Sequence, residues 1–228
     1  LFNIRGACYA GLNNLKIAKE NYEKAITLNP EYSKAYFNLA GVLHELEDFD
    51  ASIKSYQKAL LIEPDYAEAH NNLGNVYRES SEIDIAIKSY KKAIQIKPDY
   101  VEAYYSLGTS FQELGKLDDT VNCFEKVLEL RPDLTRTLNN LGNILRVLGR
   151  SDEAISNYKK AISIDPNFVE VYFNLGTTFQ ELGQLDNAVK YYKKAIEINS
   201  NYPEAYNNLG VAYKDLKEFD SAIQAYQI

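Results

Sequence analysis

Methionine is absent from the sequence, and cysteine and histidine occur only twice each. These scarcities exclude several classes of protein. Cys8 and Cys123 are far apart, with neither metal-like nor redox-like spacing, so there is no disulfide framework of the kind that holds small secreted domains. That points to a reducing compartment, and the expected localisation is intracellular, cytoplasmic or nucleocytoplasmic. His44 opens the run HELED, which is not the zinc-binding HExxH, and His70 stands alone. No apolar run approaches the roughly 18 residues of a membrane span, so membrane insertion is not expected. Signal-peptide features and Asn-x-Ser/Thr sequons are also missing. Without a methionine the chain is expected to be a piece of a longer protein. Basic residues are in deficit: 25 Lys and Arg stand against 32 Asp and Glu, for a net charge of −7. Nucleic-acid binding needs a net basic face, so it is not expected.

Apolar residues, at 46%, and charged residues, at 25%, are both sufficient for a core and a solvated surface. Pro30, Pro64, Pro98, Pro132 and Pro166 follow one another at a constant interval of 34 residues. Pro203 alone departs from the series, where Ser200 takes the expected slot. Each proline lies in a short connector such as NPEY, EPDY or DPNF, where it ends one helix before the next begins.

Numbering every repeat 1–34 with proline at position 32 gives the segments 1–32, 33–66, 67–100, 101–134, 135–168, 169–202 and 203–228. Position 7 is leucine in every repeat after the first, and position 8 is glycine or Ala40. Position 24 is tyrosine or, once, Phe124, and positions 20 and 27 are mostly alanine. Positions 4, 7, 8 and 11 fall on one helical stripe and 20, 24 and 27 on another, so each repeat reads as a helix pair. A mid-helix glycine costs about 1 kcal/mol against alanine, and close helix packing is the expected return. A single pair cannot bury both stripes, so neighbours complete the core.

This pattern resembles the tetratricopeptide repeat family over the whole chain. The resemblance implies an all-α, right-handed solenoid of helix-turn-helix repeats, a single array over 1–228, whose first helices line a concave surface. Because the chain starts and stops inside helices, end-to-end association through uncapped termini is also expected.

Two charged rows have a structural reading. Aspartate at position 18 (Asp50, Asp84, Asp118, Asp152, Asp186, Asp220) is placed to N-cap the second helix. Lysine at position 26 (Lys24, Lys58, Lys92, Lys126, Lys160, Lys194) is placed near its C-terminal end. Glu102, Glu170 and Glu204 at position 2 read as first-turn acids. The glycines at position 8 lie within helices and form no phosphate-binding loop. No serine, cysteine or carboxylate arrangement marks a catalytic centre. No catalytic residue, metal site or cofactor is therefore expected.

Positions 5, 6, 9, 12 and 13 remain once the core is removed. Of 21 asparagines, 11 fall at positions 5, 6 and 9, where even spreading would place roughly two. Each costs about 0.6 kcal/mol against alanine in a helix interior, so something must favour them. One reading has neighbouring asparagines bonding one another to orient the repeats; the other has carboxamides holding the backbone of an extended peptide. The peptide-binding candidates are Asn38, Asn71, Asn72, Asn75, Asn139, Asn140, Asn143, Asn174, Asn207 and Asn208. Phe37, Tyr105 and Phe173 at position 5, with Arg78 and Arg146 at position 12, are the candidates for selectivity. Repeats 3 and 5 share NNLGN and repeats 4 and 6 share LGTxFQELGxLD, so the stretch repeats every 68 residues in asparagine-rich and aromatic bands.

An asparagine ladder at position 6 resembles the repeat superhelix of the nucleocytoplasmic O-GlcNAc transferases. The resemblance covers Asn38, Asn72, Asn140, Asn174 and Asn208; Ser106 interrupts it and Ile4 does not match. It implies a scaffold for extended protein or peptide segments or, alternatively, the substrate-recruiting region of such a glycosyltransferase. With no lysine at position 5 and no arginine at position 6, the carboxylate clamp of chaperone-binding members is not expected.

Overall fold

The computed structural model describes residues 1–227, which form fourteen helices and no strand. They fall into two compact units, Leu1–Lys116 and Leu117–Ile228. The first holds the pairs α1 (Phe2–Gly11) and α2 (Leu15–Leu28), α3 (Ser33–Glu45) and α4 (Phe49–Ile62), α5 (Ala67–Glu79) and α6 (Ile83–Ile96), followed by α7 (Val101–Glu113). The second begins with α8 (Leu117–Leu130). It continues with α9 (Thr135–Val147) and α10 (Ser151–Ile164), α11 (Val169–Glu181) and α12 (Leu185–Ile198), α13 (Pro203–Asp215) and α14 (Phe219–Tyr226). Within each unit a helix packs on the next in the chain, and first helices also touch the first helix of the adjoining repeat. Each unit is thus an α-solenoid, an all-α stack whose contacts are nearest-neighbour.

The period of 34 is visible in every joint. The first helix of a full repeat spans positions 1–13 and the second positions 17–30, as in α3 and α4. Position 15 turns the chain between them in the left-handed region: Gly115, Gly149 and Gly183 adopt φ of 69–73°. Asn13, Glu47, Ser81 and Lys217 hold the same conformation at φ of 58–65° without glycine's freedom. Pro203, off the series, stands at the start of α13, where a missing N–H costs nothing.

The second helix holds the main anchor of the core. Tyr56, Tyr90, Tyr158 and Tyr192 at position 24, with Phe124, are almost wholly buried, flanked by Ala59, Ala93, Ala161 and Ala195 at position 27. The glycine at position 8 is the seat of that ring. A Cβ at Gly74 would lie 2.6 Å from Cε1 of Tyr90, and one at Gly142 would lie 2.5 Å from Cε1 of Tyr158. Burying an aromatic ring is worth about 2–3 kcal/mol, more than the ~1 kcal/mol that a helix glycine costs.

Two sequence expectations about the charged rows are corrected. The aspartates at position 18 do not cap: the N-cap is position 16, and Asp50 and Asp84 lie inside the first turn of α4 and α6. Position 16 varies, through Asn14, Asp48, Glu82, Arg150, Gln184 and Glu218, and of these only Asp48 accepts a hydrogen bond from its helix, from Ala51 N at 3.3 Å. The aspartates act on the helix dipole instead. The lysines at position 26 stop short of the last turn, which holds no basic residue in α4, α6, α10 or α12. Lys126 and Lys194 pair with Glu129 and Glu197 three residues on, at 2.8 and 2.9 Å. Glu102, Glu170 and Glu204 are first-turn acids, as the sequence indicates.

Candidate functional site

The first helices present positions 5, 6, 9 and 12 in successive layers, and adjoining repeats join these layers through their side chains. In the first unit Asn38 donates to Asn3 Oδ1 at 3.0 Å, and Asn3 donates to the Tyr32 hydroxyl at 3.2 Å. In the second unit Asn174 donates to Asn139 Oδ1 at 2.8 Å, again 35 residues back. Asn3, Asn71 and Asn139, all at position 5, are buried, whereas Asn207 is exposed. Asn71 turns sideways and donates to Asn72 Oδ1 at 3.2 Å. The position-6 residues Asn38, Asn72, Asn140, Asn174 and Asn208 are half-buried and keep one edge at the surface. A carboxamide can form four hydrogen bonds, so a single inter-repeat bond does not exhaust it.

The position-5 aromatics are used in packing. Phe37 stacks on Tyr66 with ring centroids 4.8 Å apart and meets Tyr56 edge-on at 5.7 Å. Phe173 lies 5.2 Å from Tyr202 and 5.8 Å from Tyr192. These rings brace the connector that enters the following repeat, with Asn3 and Tyr32 taking the same place in repeat 1. Tyr105 is half-buried on α7.

Position 12 meets position 13 of the next repeat, as ion pairs where arginine stands at position 12. His44 meets Glu79 at 2.7 Å, Arg78 approaches Glu113 at 3.9 Å and Arg146 pairs with Glu181. Arg78 also donates to Thr109 Oγ1 at 2.8 Å. The cationic candidates therefore carry local counter-charges, which sequence spacing alone does not indicate.

The tyrosine hydroxyls at position 24 also reach this face, and sequence reasoning missed them. Tyr90 donates to Asn75 Oδ1 at 2.9 Å and Tyr158 to Asn143 Oδ1 at 2.7 Å, each 15 residues back. Tyr192 donates to Gln180 Oε1 at 2.7 Å and receives Asn208 Nδ2 at 3.5 Å. Burial pushes the hydroxyls of Tyr56, Tyr90 and Tyr158 up to about 12, although neighbouring side-chain donors oppose the rise. A signal was present: position 24 is tyrosine in every repeat but the fourth, where Phe124 stands. A purely apolar anchor would not favour the hydroxyl. His70 fits the same view. Its Nε2 donates to the Pro64 carbonyl at 2.9 Å, as the Tyr172 hydroxyl does to Pro166 at 3.1 Å.

Among the described residues no group of three or more His, Cys, Asp or Glu side chains could hold a metal ion, and no helix is long and apolar enough to cross a membrane. What this face offers is carboxamide and hydroxyl hydrogen bonding.

Models of the tetratricopeptide repeat match residues 1–32, 21–54 and 101–134, and a further model, described as TPR repeat, matches 41–79, 74–115, 142–183 and 178–217. The chain belongs to the tetratricopeptide repeat family. No curated protein matches it. Among solved structures, MamA is 30% identical over 71% of this chain and 95% of its own, with a TM-score of 0.68. YrrB, described as a TPR protein with an unusual peptide-binding site, is 26% identical over 81% of this chain and 95% of its own, at 0.72. The C-terminal part of a TPR repeat-containing protein from Cytophaga hutchinsonii shares the fold over 99% of this chain and 94% of its own, at a TM-score of 0.85 and 19% identity. The build is that of a tetratricopeptide repeat scaffold.

Proposed function

We propose that the chain is a scaffold that binds extended polypeptide segments along the first-helix face of its repeats, with the position-6 carboxamides as main-chain contacts. The observation that carries this reading is the half-exposed state of Asn38, Asn72, Asn140, Asn174 and Asn208 at position 6, beside the burial of Asn3, Asn71 and Asn139 at position 5. The inter-repeat bonds of Asn38 and Asn174 each use one N–H of a carboxamide that has a second N–H and an acceptor oxygen besides. The peptide-binding site named for YrrB supports the class of ligand. Asn71 and Asn139 support the ligand-facing residues from beneath, and Phe37 and Phe173 act through the packing of the repeats.

The test is selection of short random peptides on the wild-type chain and on a variant with Asn72, Asn140 and Asn174 changed to Ala. The wild type retains peptides and the variant loses them while keeping its helical circular dichroism. Retention by both proteins, or by neither, sinks the proposal.

A further inference from the structure

Position 9 alternates with the 68-residue period, asparagine at Asn75 and Asn143 against threonine at Thr109 and Thr177, and the structure gives the alternation a chemical meaning. A phenol has one proton to donate. Tyr158 gives that proton to Asn143 Oδ1 at 2.7 Å. Tyr90 sends its proton to Asn75 Oδ1 in the same way. The oxygen and nitrogen of a carboxamide occupy opposite corners of one plane, so an oxygen held inward turns the NH2 group away from the core. Both asparagines are half-buried, and among the described residues neither Nδ2 has a protein partner.

The threonines do the opposite. Thr109 spends its proton on the Ser106 carbonyl at 2.9 Å and accepts from Arg78. Thr177 spends its proton on the Phe173 carbonyl at 3.1 Å, and Tyr192 lies 3.3 Å from its oxygen. Neither hydroxyl has a proton left for a ligand. Tyr192 directs its own proton to Gln180, one turn further on, so the rule of a carboxamide oxygen facing a buried tyrosine holds there too.

We propose that Tyr90 and Tyr158 are positioning residues that lock Asn75 and Asn143 with their NH2 groups outward, so that each unit presents a fixed hydrogen-bond donor to main-chain carbonyls of a bound extended segment. This deepens the peptide-scaffold reading and rests on it. At position 9 the banding then separates donor sites from closed ones: repeats 3 and 5 offer N–H groups there, and repeats 4 and 6 offer none.

The experiment uses the whole chain and peptides selected from a short random library on the wild type. Asn75→Asp with Asn143→Asp keeps an oxygen for each tyrosine but removes the outward N–H groups. Affinity is expected to fall about tenfold or more, on the scale of two lost hydrogen bonds. Tyr90→Phe with Tyr158→Phe keeps each ring on its glycine but removes the lock, and a several-fold loss is expected. In the wild type the side-chain amide resonances of Asn75 and Asn143 shift when peptide is added, a response that a purely structural role would not produce. Wild-type affinity in both variants, or unmoved resonances, overturns the lock. If the Asn72, Asn140 and Asn174 alanine variant still loses binding in that case, the scaffold reading survives without the lock. If the wild type selects no peptide, both readings fall together.

Discussion

At the scale of single residues, two adjacent glycines in the register behave in opposite ways. Gly142 at position 8 lies directly under the ring of Tyr158, where a methyl group would come within 2.5 Å of Cε1. Gly41 at position 9 would place its Cβ 3.7 Å from the Tyr56 hydroxyl oxygen, an ordinary contact. Gly142→Ala is therefore expected to destabilise the protein by about 1–3 kcal/mol through overpacking, despite the better helix propensity of alanine. Gly41→Ala should be neutral or stabilise by up to ~1 kcal/mol. Urea titrations of the two variants beside the wild type decide the matter, and equal shifts would refute the ring-seat account. The sequence made position 8 legible as a place of close approach, because a costly residue recurs there. It did not show that the approaching group is a tyrosine ring rather than a helix backbone. That depends on a rotamer 16 residues away, as in Gly142 and Tyr158.

Between elements, adjoining first helices are joined by bonds spaced 35 residues apart: Asn38 to Asn3, Asn174 to Asn139, His44 to Glu79 and Arg146 to Glu181. The recurring offset means that one helix-to-helix displacement is repeated and that side chains at the same height meet. These ion pairs are partly solvated, with the Glu181 side chain 50% exposed and that of Arg146 25% exposed, so each contributes little. A double-mutant cycle with Arg146→Ala and Glu181→Ala should give a coupling below about 1 kcal/mol that fades in molar salt. A larger, salt-insensitive coupling would contradict this. The helix pairs were legible in the sequence because proline recurs at one position and apolar stripes recur at two. The capping residue was not, since position 16 changes from repeat to repeat and Asp50 and its counterparts two residues later offered a more regular pattern. The asparagine columns were legible as a concentration of an unfavourable residue. Their division into buried, half-buried and tyrosine-locked members was not, because all three share one side chain and differ only in where neighbouring helices place their hydroxyls.

For the whole molecule, each unit carries several phenols whose neutral form is favoured by burial. Tyr56, Tyr90, Tyr100 and Tyr158 are each raised to about 12, against 10.0 for an ordinary tyrosine. A raised folded-state value means that this stabilisation is complete below the unfolded value near 10 and is lost as the pH rises through 12. The helical signal should therefore hold through mildly alkaline conditions and collapse above pH 10, in step with ionisation of these four phenols as followed by their ring resonances. Ionisation of Tyr56, Tyr90, Tyr100 and Tyr158 near pH 10 in a still-helical protein would refute it. His70 contributes in the opposite direction: burial lowers its value below 6.5, so its stabilisation is lost on acidification.

The left-handed joint at position 15 has a consequence for how much stability the chain leaves unused. Three joints hold glycine, and four hold asparagine, glutamate, serine or lysine in a backbone shape that a side chain disfavours by about 1 kcal/mol or more. In a nearest-neighbour stack such a cost stays local, so it can persist in one hairpin without compromising the next. Glu47, Ser81 and Lys217 thus mark a reserve: the protein could be strengthened at its hinges, one at a time, with neither the core nor the first-helix face being touched.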